Sequence, residues 1–317
     1  MPILPKRLRS RDTVALISPG SPPGDPMAID RAVDAIRETG FKVKLGRHAR
    51  RRRGYLAGTD RDRADDVMRM FGDPTVRAIF CIRGGYGSAR LLPLLDYRVI
   101  RRNPKIFLGY SDITSLHCAL LVKSNLLTFH GPMAVSDFIQ PNFSFAARKR
   151  LLRILTEPDA RGGIVKGFAL RGLSILRRGI ASGQLIGGNL SVLCTTIGTP
   201  YEPPFRGRIL FLEEVEEKPY RVDRMLTHLL NAGLLQQVAG VAIGLCSTCV
   251  DPTAKAANEY RQSLDDVFRD RLLPLGVPVV TGLPFGHVPM NATLPFGGRV
   301  RLDGRDGDLV IAEAVVR

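Results

Sequence analysis

The sequence predicts an α/β protein: a first unit built on a parallel sheet, then a second α/β unit. Three observations carry that expectation. Over the first 130 residues, short β-branched runs alternate with amphipathic segments, and such βα alternation covers both faces of a parallel sheet with helices. The pattern loosens over residues 137–178 and resumes at 179. The 317 residues suffice for two units of about 100 to 200 residues each.

In order, residues 13–18 (TVALIS) read as a buried strand. Asp25-Pro26 then offers an N-cap followed by proline at the first helical position. Ile29, Ala32, Val33 and Ile36 share one helical face, and Gly40 closes the helix. Residues 41–45, 76–82, 106–108 and 126–129 continue the strand series, completing a first unit over residues 1–136. Residues 137–178, with a helix near 145–155 and a Gly- and Arg-rich stretch, read as a connection. The second unit, 179–317, begins with the segment 183–188 and shows strands at 208–212 and 238–245, helices at 219–232 and 264–273, and the strand-like runs VPVVTGLPFGHVP and RVRLDG. Val222, Met225, Leu226, Leu229 and Leu230 form one apolar stripe, a packing face rather than a cofactor box.

Composition narrows the function. An apolar fraction of 44% fills two ordinary cores. No apolar run approaches the roughly 18 residues of a membrane span, and charges fall where a signal peptide needs its apolar centre. A cytoplasmic protein without a membrane partner is expected. The five cysteines are scattered through apolar stretches, as reduced core thiols are, so no structural disulfide is expected. Cys246 and Cys249 make a CxxC, yet no second CxxC or HxxxH completes a zinc site and no thioredoxin-like context surrounds it. The net charge of +16 is spread over the whole chain. Its densest cluster, RHARRRR at 47–53, lacks interleaved aromatics and reads as a solvated loop, so nucleic acid is not an expected partner. A positive field also suits a small acidic substrate.

Four places can carry chemistry. In KIFLGYSD, residues 105–112, an apolar strand runs through a sharp turn into a helix, placing Ser111 where backbone N–H groups favour an anion. Ser111 or Asp112 can equally be a helix cap, and the G-x-S-x-G elbow of α/β-hydrolases is absent. RGGYG, residues 83–87, lets the backbone approach a ligand; a phosphate loop, an oxyanion hole and a plain turn all remain open, although complete nucleotide-loop patterns are missing. His48 lies in the basic loop, His117 and His228 in helices, and His130 at a strand end. His287 differs, lying in GLPFGHVPMNATLP, an irregular turn able to present a side chain into a cleft. Glu213 and Glu214 end ILFLEEV, and a carboxylate meeting a histidine fixes its tautomer and stabilises its cation. Strand alternation allows only one of them to do so and does not say which.

Together GYSD, RGGYG, LIGGNLSVL with GTP, LFLEEVEEKPYRVDRML and GLPFGHVPMNATLPFG resemble the LD-carboxypeptidases, including their microcin-immunity relatives. The match runs in order along nearly the whole chain. It implies a flavodoxin-like N-terminal parallel-sheet domain carrying the nucleophile and a C-terminal mixed α/β domain carrying the rest of the site. It implies Ser111 as nucleophile, Glu213 and His287 as its partners, the backbone N–H groups of Gly85 and Asp112 as oxyanion hole, no cofactor or metal, and a homodimer. The implied reaction removes the terminal D-alanine from muropeptide tetrapeptides during cytoplasmic wall recycling. Arg83, beside the glycine loop, is the candidate partner for the scissile residue's carboxylate. Two alternatives stand: hydrolysis of peptidyl or aminoacyl adenylate analogues by the same residues, and a non-catalytic α/β protein that binds a ligand or nucleotide.

Overall fold

The fold was obtained as a computed structural model, described here over residues 1–170, 172–250 and 262–317. Strands β1 (Thr13–Ile17), β2 (Lys42–Leu45), β3 (Val76–Cys81), β4 (Ile106–Gly109) and β5 (Thr128–His130) run parallel in the order 2-1-3-4-5. That is the flavodoxin-like order, whose ligand crevice opens at the carboxyl ends of the strands. Helices α1 (Ala28–Arg37), α2 (Asp60–Gly72), α3 (Tyr97–Arg102) and α4 (Thr114–Ser124) make the crossovers. The start of α2 is fixed by a capping box, with Thr59 accepting the Asp62 N–H and Asp62 accepting the Thr59 N–H.

The chain continues through α5 (Phe145–Thr156), β6 (Gly162–Gly163), β7 (Ser174–Arg177), β8 (Ile180–Asn189), α6 (Leu190–Cys194), β9 (Ile209–Glu213), α7 (Pro219–Asn231), β10 (Gly240–Leu245), α8 (Leu264–Leu272) and β11 (Val279–Gly286). It ends with β12 (Leu294–Phe296), β13 (Arg299–Asp303) and β14 (Asp308–Ile311). The second sheet has the order β6-β14-β13-β8-β9-β10-β11-β7; β8 to β11 are parallel, and β13, β14, β6 and β7 are antiparallel to their neighbours.

Three local expectations change. The first helix begins at Ala28 rather than Pro26, because Asp25 forms a turn: its carboxylate accepts the Met27 N–H and its carbonyl the Ala28 N–H. Residues 137–178 do more than connect, since α5 buries Leu151, Ile154 and Leu155 against the first sheet's core and β7 pairs with β11. The basic loop is only partly solvated. His48 is buried beside Asp65, Arg50 and Arg51 pair with Asp30 and Asp62, and Arg52 donates to the Pro23 and Gly24 carbonyls.

Four strands lay outside the sequence reading, β6, β7, β12 and β14, and one of them joins the two sheets. β12, from the C-terminal part of the chain, pairs antiparallel with β5 and so belongs to the first sheet. Its Phe296 is fully buried, stacked on His117 at 5.6 Å and edge-on to Phe211 at 6.1 Å, which ties the two sheets together. The carboxyl ends of β3 and β4 thereby meet those of β9 and β11.

Candidate active site

Strand β4 is buried along its whole length and delivers Tyr110 in extended conformation. Ser111 follows at φ +63°, a left-handed conformation that costs a non-glycine residue about 1–3 kcal/mol and must be held by its surroundings. Asp112 does the holding. Its buried carboxylate accepts the N–H groups of Gly87 at 3.2 Å and Ser88 at 2.9 Å, while its carbonyl accepts the Ser88 hydroxyl at 2.5 Å. The glycine loop is thus locked onto the serine turn. A Cβ on Gly84 would lie 3.1 Å from Ser111 Cβ and 3.3 Å from its Oγ, so this close approach requires glycine. Gly85 sits at φ +85° and is exposed; neither its N–H nor that of Asp112 has a protein acceptor among the described residues.

His287 comes from the turn after β11. Its carbonyl accepts the Ser247 hydroxyl at 2.8 Å, and the N–H of the preceding Gly286 donates to Asn291 Oδ1 at 3.2 Å. The ring packs edge-on to Tyr110 at 4.9 Å. Nδ1 lies 2.7 Å from Glu213 Oε2, and Nε2 lies 3.0 Å from Ser111 Oγ. A carboxylate only accepts, so Nδ1 carries the ring proton and Nε2 is free to take the serine proton. Glu213 is fully buried, and its Oε1 has no partner among the described residues. Burial opposes charging of His287, but the hydrogen bond and charge of Glu213, with Glu214 and Asp137 beyond it, raise its pKa above the usual 6.5.

Glu214 faces elsewhere. Its Oε1 accepts from Asn189 Nδ2 at 2.8 Å and the Val215 N–H at 3.0 Å, and its Oε2 accepts the Ser191 N–H at 2.7 Å. Burial lifts its pKa despite these donors. Asn189 donates its own N–H to Thr114 Oγ1 at 3.0 Å, joining the GGN turn to α4.

Arg83 is half-buried. Its guanidinium donates to the Pro22 carbonyl at 3.2 Å; burial, with the charges of Asp137 and Glu213, holds the Tyr110 phenol well above its ordinary pKa against a smaller opposing pull from Arg83. Beside His287 a cavity of about 270 Å³ is lined by Tyr110, Asp137, Asn142, Phe143 and Pro289. Asp137 sits on a single π-helical turn, Ala134–Phe138, accepts the Met133 N–H at 2.8 Å and is pushed by burial to a pKa of about 7. His48, Asp65 and Asp66 form a group of metal-ligand type, but both Asp66 oxygens already accept the His48 N–H and Asp65 pairs with Arg69.

Sequence reasoning missed Asp137, Asn189, Ser247 and Asn291 as parts of the site. Asn189 and Asn291 stood inside the motifs GGNLS and HVPMN, so their signal was proximity. Ser247 and Asp137 had none.

Residues 14–131 match the LD-carboxypeptidase N-terminal domain and residues 182–302 the LD-carboxypeptidase C-terminal domain. A probable murein peptide carboxypeptidase of Bacillus subtilis is 37% identical, over 98% of this chain and 95% of that protein. Among solved structures, MccF in complex with glutamyl sulfamoyl guanosine superposes with a TM-score of 0.89 at 26% identity, covering 100% of each chain. The muramoyltetrapeptide carboxypeptidase of Oxalobacter formigenes superposes with a TM-score of 0.82 at 31% identity, covering 94% of this chain and 97% of that one.

Proposed function

Because this chain belongs to the LD-carboxypeptidase family, we propose that it is a serine peptidase that removes the terminal D-alanine from muropeptide tetrapeptides. The observation that carries this reading is the Ser111–His287–Glu213 relay, with its 3.0 and 2.7 Å contacts, set against a glycine loop. His287 Nε2 takes the Ser111 proton as Oγ attacks the scissile carbonyl, and the Glu213 charge stabilises the imidazolium. The free N–H groups of Gly85 and Asp112 receive the oxyanion. Collapse of the tetrahedral intermediate passes the proton to the departing D-alanine amine. A water deprotonated by the same nitrogen then hydrolyses the acyl-enzyme. Arg83 is the cation assigned to the substrate carboxylate. No step uses a metal or cofactor, and the setting assigned to the reaction is cytoplasmic wall recycling, by a homodimer.

A second reading is favoured by the TM-score of 0.89 to MccF bound to an aminoacyl nucleotide analogue: the same relay would cleave aminoacyl adenylate analogues. Incubation with a muramoyl tetrapeptide and, separately, with glutamyl sulfamoyl guanosine decides between them by mass. The expected products are tripeptide and free D-alanine, lost in Ser111→Ala. Turnover of the analogue with none of the tetrapeptide would replace the first reading by the second.

A further inference from the structure

Five cationic side chains that the proposed reaction does not use converge at the end of the first sheet away from Ser111. Lys6, Arg7, Arg9, Arg77 and Arg317 line a cavity of about 380 Å³. Arg77 is the second residue of β3, and Lys6, Arg7 and Arg9 lead into β1, so the cavity lies by the amino ends of these strands. Ser111 follows the carboxyl end of β4, which runs parallel to them. The two places are therefore separate.

Three segments far apart in sequence make the cationic wall, and main-chain hydrogen bonds hold two of them together. The Arg7 N–H donates to the Arg317 carbonyl at 2.9 Å, and the Arg317 N–H donates to the Pro5 carbonyl at 3.0 Å. Leu8, Val315 and Val316 anchor the same two segments in the first sheet's core, so the backbone beneath the charges is fixed. The charges themselves are short of partners. Arg77 lies 3.6 Å from Asp12, whose carboxylate also accepts the Arg9 N–H at 2.9 Å, and Arg7 donates to the Thr156 carbonyl at 3.4 Å. Among the described residues no other carboxylate pairs with any of the five, and no acidic side chain lines the cavity. Like charges held together repel one another, and a bound anion relieves that cost.

We propose that this cavity is a binding site for a small polyphosphate anion, a few linked phosphoryl groups that are either free or the tail of a nucleotide. Charge sets the class, because several cations around one small cavity match several negative charges on one small ligand. Arginine sets the chemistry: a planar guanidinium meets two phosphate oxygens at once, and four of the five cations are arginines. Volume sets the size. About 380 Å³ is at the low end for small-ligand sites, whereas even a single DNA-binding module buries about 600–1,000 Å² of protein surface. A ligand that bridges the segment at residues 6–9, β3 and the segment at residues 315–317 binds only the folded chain, so it raises Tm as its concentration rises.

The test is isothermal titration calorimetry on the full chain at about 0.15 M salt, without added metal, using tripolyphosphate, ATP, orthophosphate and adenosine as probes, with Tm measured in parallel. Tripolyphosphate and ATP should each bind once per chain and raise Tm, orthophosphate should bind more weakly, and adenosine should not bind. Equal affinity for ATP and tripolyphosphate supports a site that reads phosphates alone; tighter binding of ATP supports the nucleotide form of the ligand. Lys6→Ser combined with Arg9→Ser removes two exposed cations and should weaken tripolyphosphate binding at least about tenfold, the worth of one lost hydrogen bond to a charged group. Arg177→Ser combined with Arg178→Ser removes the same charge from another exposed place and should leave binding unchanged. Equal weakening by the two double variants, or several molecules bound per chain, would reduce the affinity to net charge and overturn the proposal. So would the absence of both heat and Tm shift with tripolyphosphate, or binding by a single-stranded oligonucleotide alone. None of these readouts needs turnover or Ser111, so the site stands or falls separately from the peptidase reading.

Discussion

Glu213 Oε2 sits 2.7 Å from His287 Nδ1, whereas both oxygens of Glu214 accept N–H groups from Asn189, Ser191 and Val215. Glu213→Gln keeps the shape and removes the charge, so kcat should drop by about 10⁴ while circular dichroism and Tm stay near those of the parent. Glu214→Gln should show the reverse. Its amide NH₂ would face a donor in a buried site, costing about 1–3 kcal/mol of stability, read as a lower Tm with most of kcat retained. A crippled Glu214→Gln beside a nearly silent Glu213→Gln would move the assignment by one residue. The pH dependence follows from the same contact. Protonated His287 accepts no proton from Ser111, so activity is present above its pKa and lost as pH falls through it. Because that pKa is raised, the acid limb of kcat/KM should be centred above pH 6.5. A profile flat down to about pH 4 contradicts the role of His287 as base. At this scale strand alternation left the two glutamates undecided, because equally apolar neighbours lie on both faces of β9; the family resemblance chose Glu213, and that is the side chain that meets the histidine turn.

At the scale of elements, the strands that build the first sheet were legible because they are short apolar runs buried on both faces, with β1 and β3 the clearest cases. β12 was not. It is three residues long, and its partner β5 is distant in sequence, so neither periodicity nor a hairpin signal reveals it. The beginning of α1 was misread for a local reason: Asp25 caps a turn ahead of the helix instead of the helix itself. β12 also carries the wedge between the sheets. Phe296→Ala should cost about 3–5 kcal/mol by denaturant unfolding. Its activity should fall by more than the unfolded fraction explains, because Phe296 backs Phe211 on the strand that ends in Glu213. Activity that tracks only the folded fraction would show that the wedge stabilises the molecule without aligning the site.

For the whole molecule, the two-unit α/β architecture followed from composition and alternation, whereas the joining of the units through β12 and α5 required the tertiary fold. The net charge of +16 acts at the same scale. If the substrate is an anionic muropeptide, raising ionic strength from about 0.01 M to 0.15 M, which shortens the Debye length from about 30 to 8 Å, should lower kcat/KM several-fold and leave kcat alone. A kcat/KM insensitive to salt would mean that the cations serve other ends than capture. The pairing of β12 with β5 also orders events in time. A ribosome delivers the chain from its amino end, so Ser111 and the first five strands emerge long before residues 294–296. Until those residues arrive, β5 is an open strand edge, an invitation to mispair that a holdase would have to cover. His287 and β12 emerge within a few residues of each other. On the proposed mechanism the nascent serine has no base until the segment that seals the sheet is also being made, so an unfinished chain would be inert toward the peptides around it.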